Sequence, residues 1–218
     1  MDEYLSGEAH CQELVKKLNR GNGMLAKARH YVPHLELMNI YHAIFASHLM
    51  YGAQVWSSKL LSVHERIFRL QKSAMRILTF SDFKAHSEPL FNQLKILKFE
   101  HSIDLYNCLF VYDFLHNNLP TSYVNTFSRL DDGLVNCSTR QASIGQLFVP
   151  SYNTTAFGLK CINKRCINSW NNISYEINVI NKSKHINKLN CPDIDLSKFT
   201  RNKLKDIITK HILSQYQD

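Results

Sequence analysis

Val63-His-Glu-Arg66-Ile67-Phe-Arg69-Leu70-Gln-Lys72-Ser-Ala74-Met-Arg76-Ile77 closes the stretch from Leu35 to Thr79 whose reading decides the fold. Val63, Ile67, Leu70, Ala74 and Ile77 recur at helical spacing and make one apolar stripe. Arg66, Arg69, Lys72 and Arg76 make a basic one. At ~100° per residue the four cations fall in an arc of about 120°, centred well away from the apolar stripe. Before this helix, Met38, Tyr41, Phe45 and Leu49 give another apolar stripe. That first helix is expected to end on Gly52, with Trp56 buried beside the turn. The stretch therefore predicts two helices joined by a kinked turn, the second with one face for a core and one face of cations.

The rest of the composition agrees with a folded helical protein. Among 218 residues, 44% are hydrophobic and 11% aromatic, too many for a disordered chain. No apolar run reaches the roughly 18 residues of a membrane span, and no leader pattern opens the sequence. A soluble intracellular chain is expected, nuclear or cytoplasmic. The net charge is +8. Residues 1–80 hold 10 Lys and Arg against 6 Asp and Glu, residues 161–218 hold 10 against 5, and residues 81–160 hold 6 against 7. A surplus at both ends suits phosphate backbones, although an ordinary solvated surface can also be basic.

Around the central pair, Ser6 to His30 reads as a helix capped by Ser6. Leu14, Val15, Leu18, Leu25 and Ala28 face inward, while Lys16, Lys17, Arg20, Lys27 and Arg29 lie mostly opposite; Gly21 and Gly23 weaken its middle. Ser87 is expected to cap a short helix with Glu88 and Pro89 in its first turn. A longer helix spans Phe99 to Asn118, and one further turn follows Thr121. Periodicity fades from Ser128 to Ser151, returns from Thr154 to Trp170, and is lost again in the Asn- and Lys-rich residues 171–194. A last amphipathic helix is expected from Leu196 to Tyr216. The fold class is mainly α, in two unequal lobes.

No complete active-site pattern emerges. Asp131-Asp132 is the only adjacent aspartate pair, and such pairs hold Mg²⁺ in polymerases and nucleases. Here it lacks flanking strand signals and a third carboxylate, and it reads as a solvated turn. Cys161, Cys166, His185 and Cys191 fit no zinc spacing, and Cys161 and Cys166 read as core packing. His30 and His34 are separated by Pro33, which breaks the helix that would align them. What remains is a helical binding module. For its basic stripes, phosphate contact competes with a plain exposed helix face; the prevalence of Arg on the second helix favours phosphate.

A succession of short motifs then points to a family. Gly23-Met-Leu25, Arg29-His-Tyr31-Val-Pro33, Tyr51-Gly52-x-x-x-Trp56, Leu70-Gln-Lys72-x-Ala74-x-Arg76-Ile77, Ala85-His86, Pro89-Leu90-Phe91 and Leu94-Lys95-Ile96-Leu97-Lys98 occur in order. Leu119-Pro120, Ser138-Thr139-Arg140, Pro150-x-Tyr152-Asn-Thr-Thr155, Gly158-Leu159 and Ser169-Trp170-Asn171 continue the series. Together they resemble the region after the palm in reverse transcriptases (RNA-directed DNA polymerases) of non-LTR, LINE-type or jockey-like retrotransposons.

The resemblance implies a palm remnant at Met1 to Ser6 and a thumb-like helical lobe within residues 1–127. An irregular linker would span 128–153 and a smaller helical C-terminal segment 154–218. It implies that Arg66, Arg69, Lys72 and Arg76, with Lys16, Lys17 and Arg20, face an RNA–DNA or DNA duplex without sequence preference. The family's Phe/Tyr-x-Asp-Asp turn is absent from the 218 residues, so no catalytic residue, metal ligand or cofactor is assigned. Mg²⁺ would belong to the palm of the parent polymerase, which would also be a partner. No polymerase activity and no membrane association are expected of this chain alone. A decayed element product, or a helical protein-interaction module co-opted by a host, are the rival readings.

Overall fold

The computed structural model describes residues 8–57, 61–123, 126–130, 144–151, 161–184 and 193–216. The chain is mainly α, and it divides into two compact units. Unit 1 comprises residues 1–103 with 212–218, and unit 2 residues 104–211. The dividing lines fall inside helices, at Ile103 and His211, and not at the polar stretch 128–153.

In unit 1, α1 (Glu8–Ala28) runs without interruption through Gly21 and Gly23. Its expected Ser6 cap lies outside the described residues. Gly21 is where the next helix comes close: a Cβ there would sit 3.6 Å from the Phe45 ring. After Pro33, α2 (His34–Ile40) leads directly into a wider π turn, Tyr41–Ala46, and then α3 (Ser47–Met50). Together they bury the predicted Tyr41, Phe45 and Leu49, but Leu37 takes the place expected for Met38, which is only half-buried, because the π turn sets the buried positions four residues apart. Gly52, at φ +60°, ends this run in the left-handed region that favours glycine. The short α4 (Ala53–Trp56) follows, and the Trp56 indole donates to Tyr51 O at 2.9 Å while stacking on Phe99.

The long α5 (Leu61–Leu78) packs against α1. Asn22 donates to Leu70 O at 3.0 Å, and the Arg29 guanidinium lies over the Phe80 ring, so the two helices run parallel. The buried positions of α5 are Ile67, Gln71, Ala74, Met75 and Leu78, whereas Leu70 and Ile77 are only half-buried. The packed face is thus rotated from the expected stripe; the Val63 side chain lies outside the description. Gln71 donates to Leu97 O and accepts from Phe99 N, both at 2.9 Å, and it also bonds the Tyr41 phenol. Burial pushes that phenol's pKa well up. A polar residue on the packing side of α5 therefore fixes the segment entering α7 (Phe99–Leu115). Before it, α6 (Glu88–Leu94) has Pro89 in its first turn, but the Ser87 side chain makes no cap bond. Tyr216 closes unit 1, its hydroxyl meeting Lys98 N at 3.0 Å and His101 Nδ1 at 2.7 Å.

In unit 2, α7 ends at Leu115, short of the predicted Asn118, and Asn117 at φ +55° closes the turn. A single 3₁₀ turn follows at Thr121–Tyr123. Part of the expected linker is packed: Arg129 and Leu147 form an isolated antiparallel bridge, and Ile144 and Leu147 are buried. No strand forms among the described residues.

The largest correction concerns residues 171–194. The helix here, α8 (Ile162–Lys184), continues through Asn-rich sequence in which local pattern predicts no structure. Its asparagines hold backbone in place. Asn171 accepts from Leu147 N and donates to Leu147 O, each at 2.8 Å. Two helical turns later, Asn178 accepts from Ile194 N at 2.7 Å and donates to Ile194 O at 2.9 Å. The final expected helix is also interrupted. A 3₁₀ turn, Leu196–Lys198, is capped by Asp195, and α9 (Arg201–Ser214) begins only after Thr200.

Candidate nucleic-acid interface

The four cations of α5 lie opposite its packed side. With Ile67, Gln71, Ala74, Met75 and Leu78 defining the buried arc, the centre of the Arg66, Arg69, Lys72 and Arg76 arc lies about 170° away at ~100° per residue. Helical geometry thus turns an amphipathic sequence into an outward basic ridge.

Its members are not equivalent. Arg66 is exposed. Arg69 is 73% exposed and meets Glu65 at 3.4 Å, an i, i+4 pair that contributes about 0.3–0.5 kcal/mol in water. Both guanidiniums can be redirected to a phosphate at little cost. The Lys72 ammonium sits over the Phe68 ring, 4.2 Å from its centroid, which holds the charge near the surface. Arg76 differs most: its Nε donates to Ala85 O at 2.9 Å and ties down the turn after α5. Part of its donor capacity is committed to the fold.

Lys16, Lys17 and Arg20 are exposed on α1. Lys16 pairs with Glu13 at 3.6 Å. The α1 side that packs carries Cys11, Leu14, Leu18 and Leu25, so Lys16 and Arg20 point away from it and Lys17 flanks them. The α1 and α5 cations therefore form two faces, each turned away from the core that the helices share, and not one continuous patch.

The other candidate chemistry dissolves or falls out of view. Asp131-Asp132, His185 and Cys191 lie outside the described residues. Cys166 is buried, its thiol pushed up to about 12 by desolvation, and Cys161 is half-buried; neither lies in any group able to hold a metal among the described residues. Ser169 donates to Asp104 at 2.7 Å and accepts from Asn107 at 3.1 Å, a buried polar cluster that packs α8 on α7. Among the described residues, no helix is long and apolar enough to cross a membrane.

No family model, curated protein or solved structure matches this chain. The reading of the interface therefore stands on its residues and their placement. Sequence reasoning missed the commitment of Arg76 to Ala85, because a bond from a helix to the following turn has no periodic signature.

Proposed function

We propose that α5 is a phosphate-contacting ridge which binds RNA–DNA or DNA duplexes without sequence preference, in the manner of a reverse-transcriptase thumb. The carrying observation is the diametric placement of Arg66, Arg69, Lys72 and Arg76 against the buried side of α5. A helix anchored on one side by Ile67, Gln71 and Met75 presents its cations as a rigid row. Backbone contact positions a duplex and carries no sequence information. The net charge of +8 adds long-range attraction. The motif series from Gly23 to Asn171 supports the same reading through its resemblance to non-LTR retrotransposon enzymes. No chemical step is assigned to this chain, and nucleotide addition would require a palm from the parent polymerase.

The test is a titration of a duplex against the full chain over a range of salt concentrations. Affinity should fall steeply with salt, and Arg66→Ala with Arg69→Ala should make the log–log slope shallower by about 2, one for each phosphate that is no longer neutralised. Binding that ignores salt, or a slope unchanged in the double variant, would refute the ridge.

A further inference from the structure

At the C-terminal end of the α1–α5 pair, two turns expose aromatic rings beside cations. Tyr31 is 87% exposed, Phe83 81% and Phe80 52%. The two turns adjoin, because the Arg29 guanidinium at the end of α1 lies 5.1 Å from the centroid of the Phe80 ring after α5. Lys27 and Lys84 are exposed on the same two segments.

The rings stand on hydrogen-bonded backbone. Tyr31 N donates to Ala28 O at 2.9 Å, Ala85 N to Asp82 O at 3.0 Å, and Phe83 N to the Asp82 carboxylate at 2.7 Å. Phe80 is held at φ +55°, an unfavourable conformation for an aromatic residue. Hydrophobic burial would draw such rings inward, yet local geometry fixes them in water. Exposed rings interleaved with Arg and Lys match single-stranded nucleic acid, in which bases need flat apolar partners and the backbone needs positive charge. A protein partner would use the rings and gain little from Lys27, Arg29 and Lys84. The bond from Arg76 to Ala85 O also joins this end to the basic ridge.

We propose that Tyr31, Phe80 and Phe83, with Arg29, Lys27 and Lys84, form a stacking platform for unpaired nucleotides that extend from a duplex on α5. The location of the duplex rests on the proposed role of the α5 ridge; the stacking does not.

The experiment measures affinity of the full chain for a blunt duplex, the same duplex with a short oligothymidine overhang, and the oligothymidine alone. The overhang should tighten binding at least about fivefold for each stacked base. Tyr31→Ala with Phe83→Ala should abolish that gain while blunt-duplex affinity holds, and Tyr31→Trp with Phe83→Trp should retain it. These exposed positions leave the core untouched. If the blunt duplex binds and the overhang adds nothing, or the gain survives the alanine pair, the platform is refuted and the ridge stands. If the blunt duplex fails but oligothymidine binds through Tyr31 and Phe83, the ridge is refuted and the platform stands. Concentration-dependent self-association lost in the alanine pair, with no overhang gain, would assign the rings to a second copy of the chain and overturn the platform.

Discussion

The helices α5 and α8 are long elements of different units, and they are held by different physics. On α5, the buried arc is Ile67, Ala74, Met75 and Leu78 around one polar residue, Gln71. Apolar burial stabilises the helix, and the opposite face is left free for charge. On α8, Cys166, Ile167, Trp170 and Ile173 supply the first half of the packed side, and Ser174 and Asn178 the second. Beyond Ile173, the Asn178 amide holds α8 to the backbone of Ile194. The contrast teaches where function can reside: a helix anchored by hydrocarbon can present its other face to a ligand, while a helix whose amides are engaged in the fold has those groups already committed.

The largest test of this contrast is Trp170→Ala. Trp170 is fully buried, and its indole donates to Gly145 O at 2.9 Å. Removing it should cost about 3–5 kcal/mol through the cavity and the missing hydrogen bond. Chemical denaturation of the variant measures this, and a loss below about 1 kcal/mol would show that α8 is not anchored there.

Asn178→Leu is the sharper test. By hydrophobic pattern the substitution improves α8, since position 178 lies on the packed side. By hydrogen bonding it leaves Ile194 N–H and C=O without the partners that Asn178 provides. The expected outcome is destabilisation by about 2–4 kcal/mol in the same denaturation experiment. A neutral or stabilising effect would mean that burial governs both helices and that the contrast between them is superficial.

These residues also explain what the sequence made legible. The mainly α fold, the Gly52 stop, the buried Trp56 and the Tyr41-Phe45-Leu49 stripe all rest on local periodicity and glycine conformation, which leave a record within a few residues. The Asn-rich part of α8 depends on partners distant in the chain, 16 residues for Asn178 and 24 for Asn171. Asparagine is a poor helix former by local propensity, so tertiary bonds decide its state here. Gln71 escaped notice for the same reason: its partners, Leu97 and Phe99, belong to a later segment. The basic ridge was legible as an arc of charge. The division of labour within it was not, because the acceptor for Arg76 is the carbonyl of Ala85, beyond the end of α5.

That division yields the smallest effects. Arg66→Ala with Arg69→Ala should leave stability within about 0.5 kcal/mol, since both side chains are exposed and the Glu65 pair is weak. Arg76→Ala should cost about 1–2 kcal/mol, because the turn after α5 loses the donor at Ala85 O. A thermal melt of each variant beside its salt titration separates the roles. Cations that serve only a ligand change the titration and not the melt, whereas Arg76 changes the melt whether or not it reaches phosphate. If Arg66 and Arg69 moved the melt as much as Arg76, the ridge would be part of the scaffold, and α5 would resemble α8 after all.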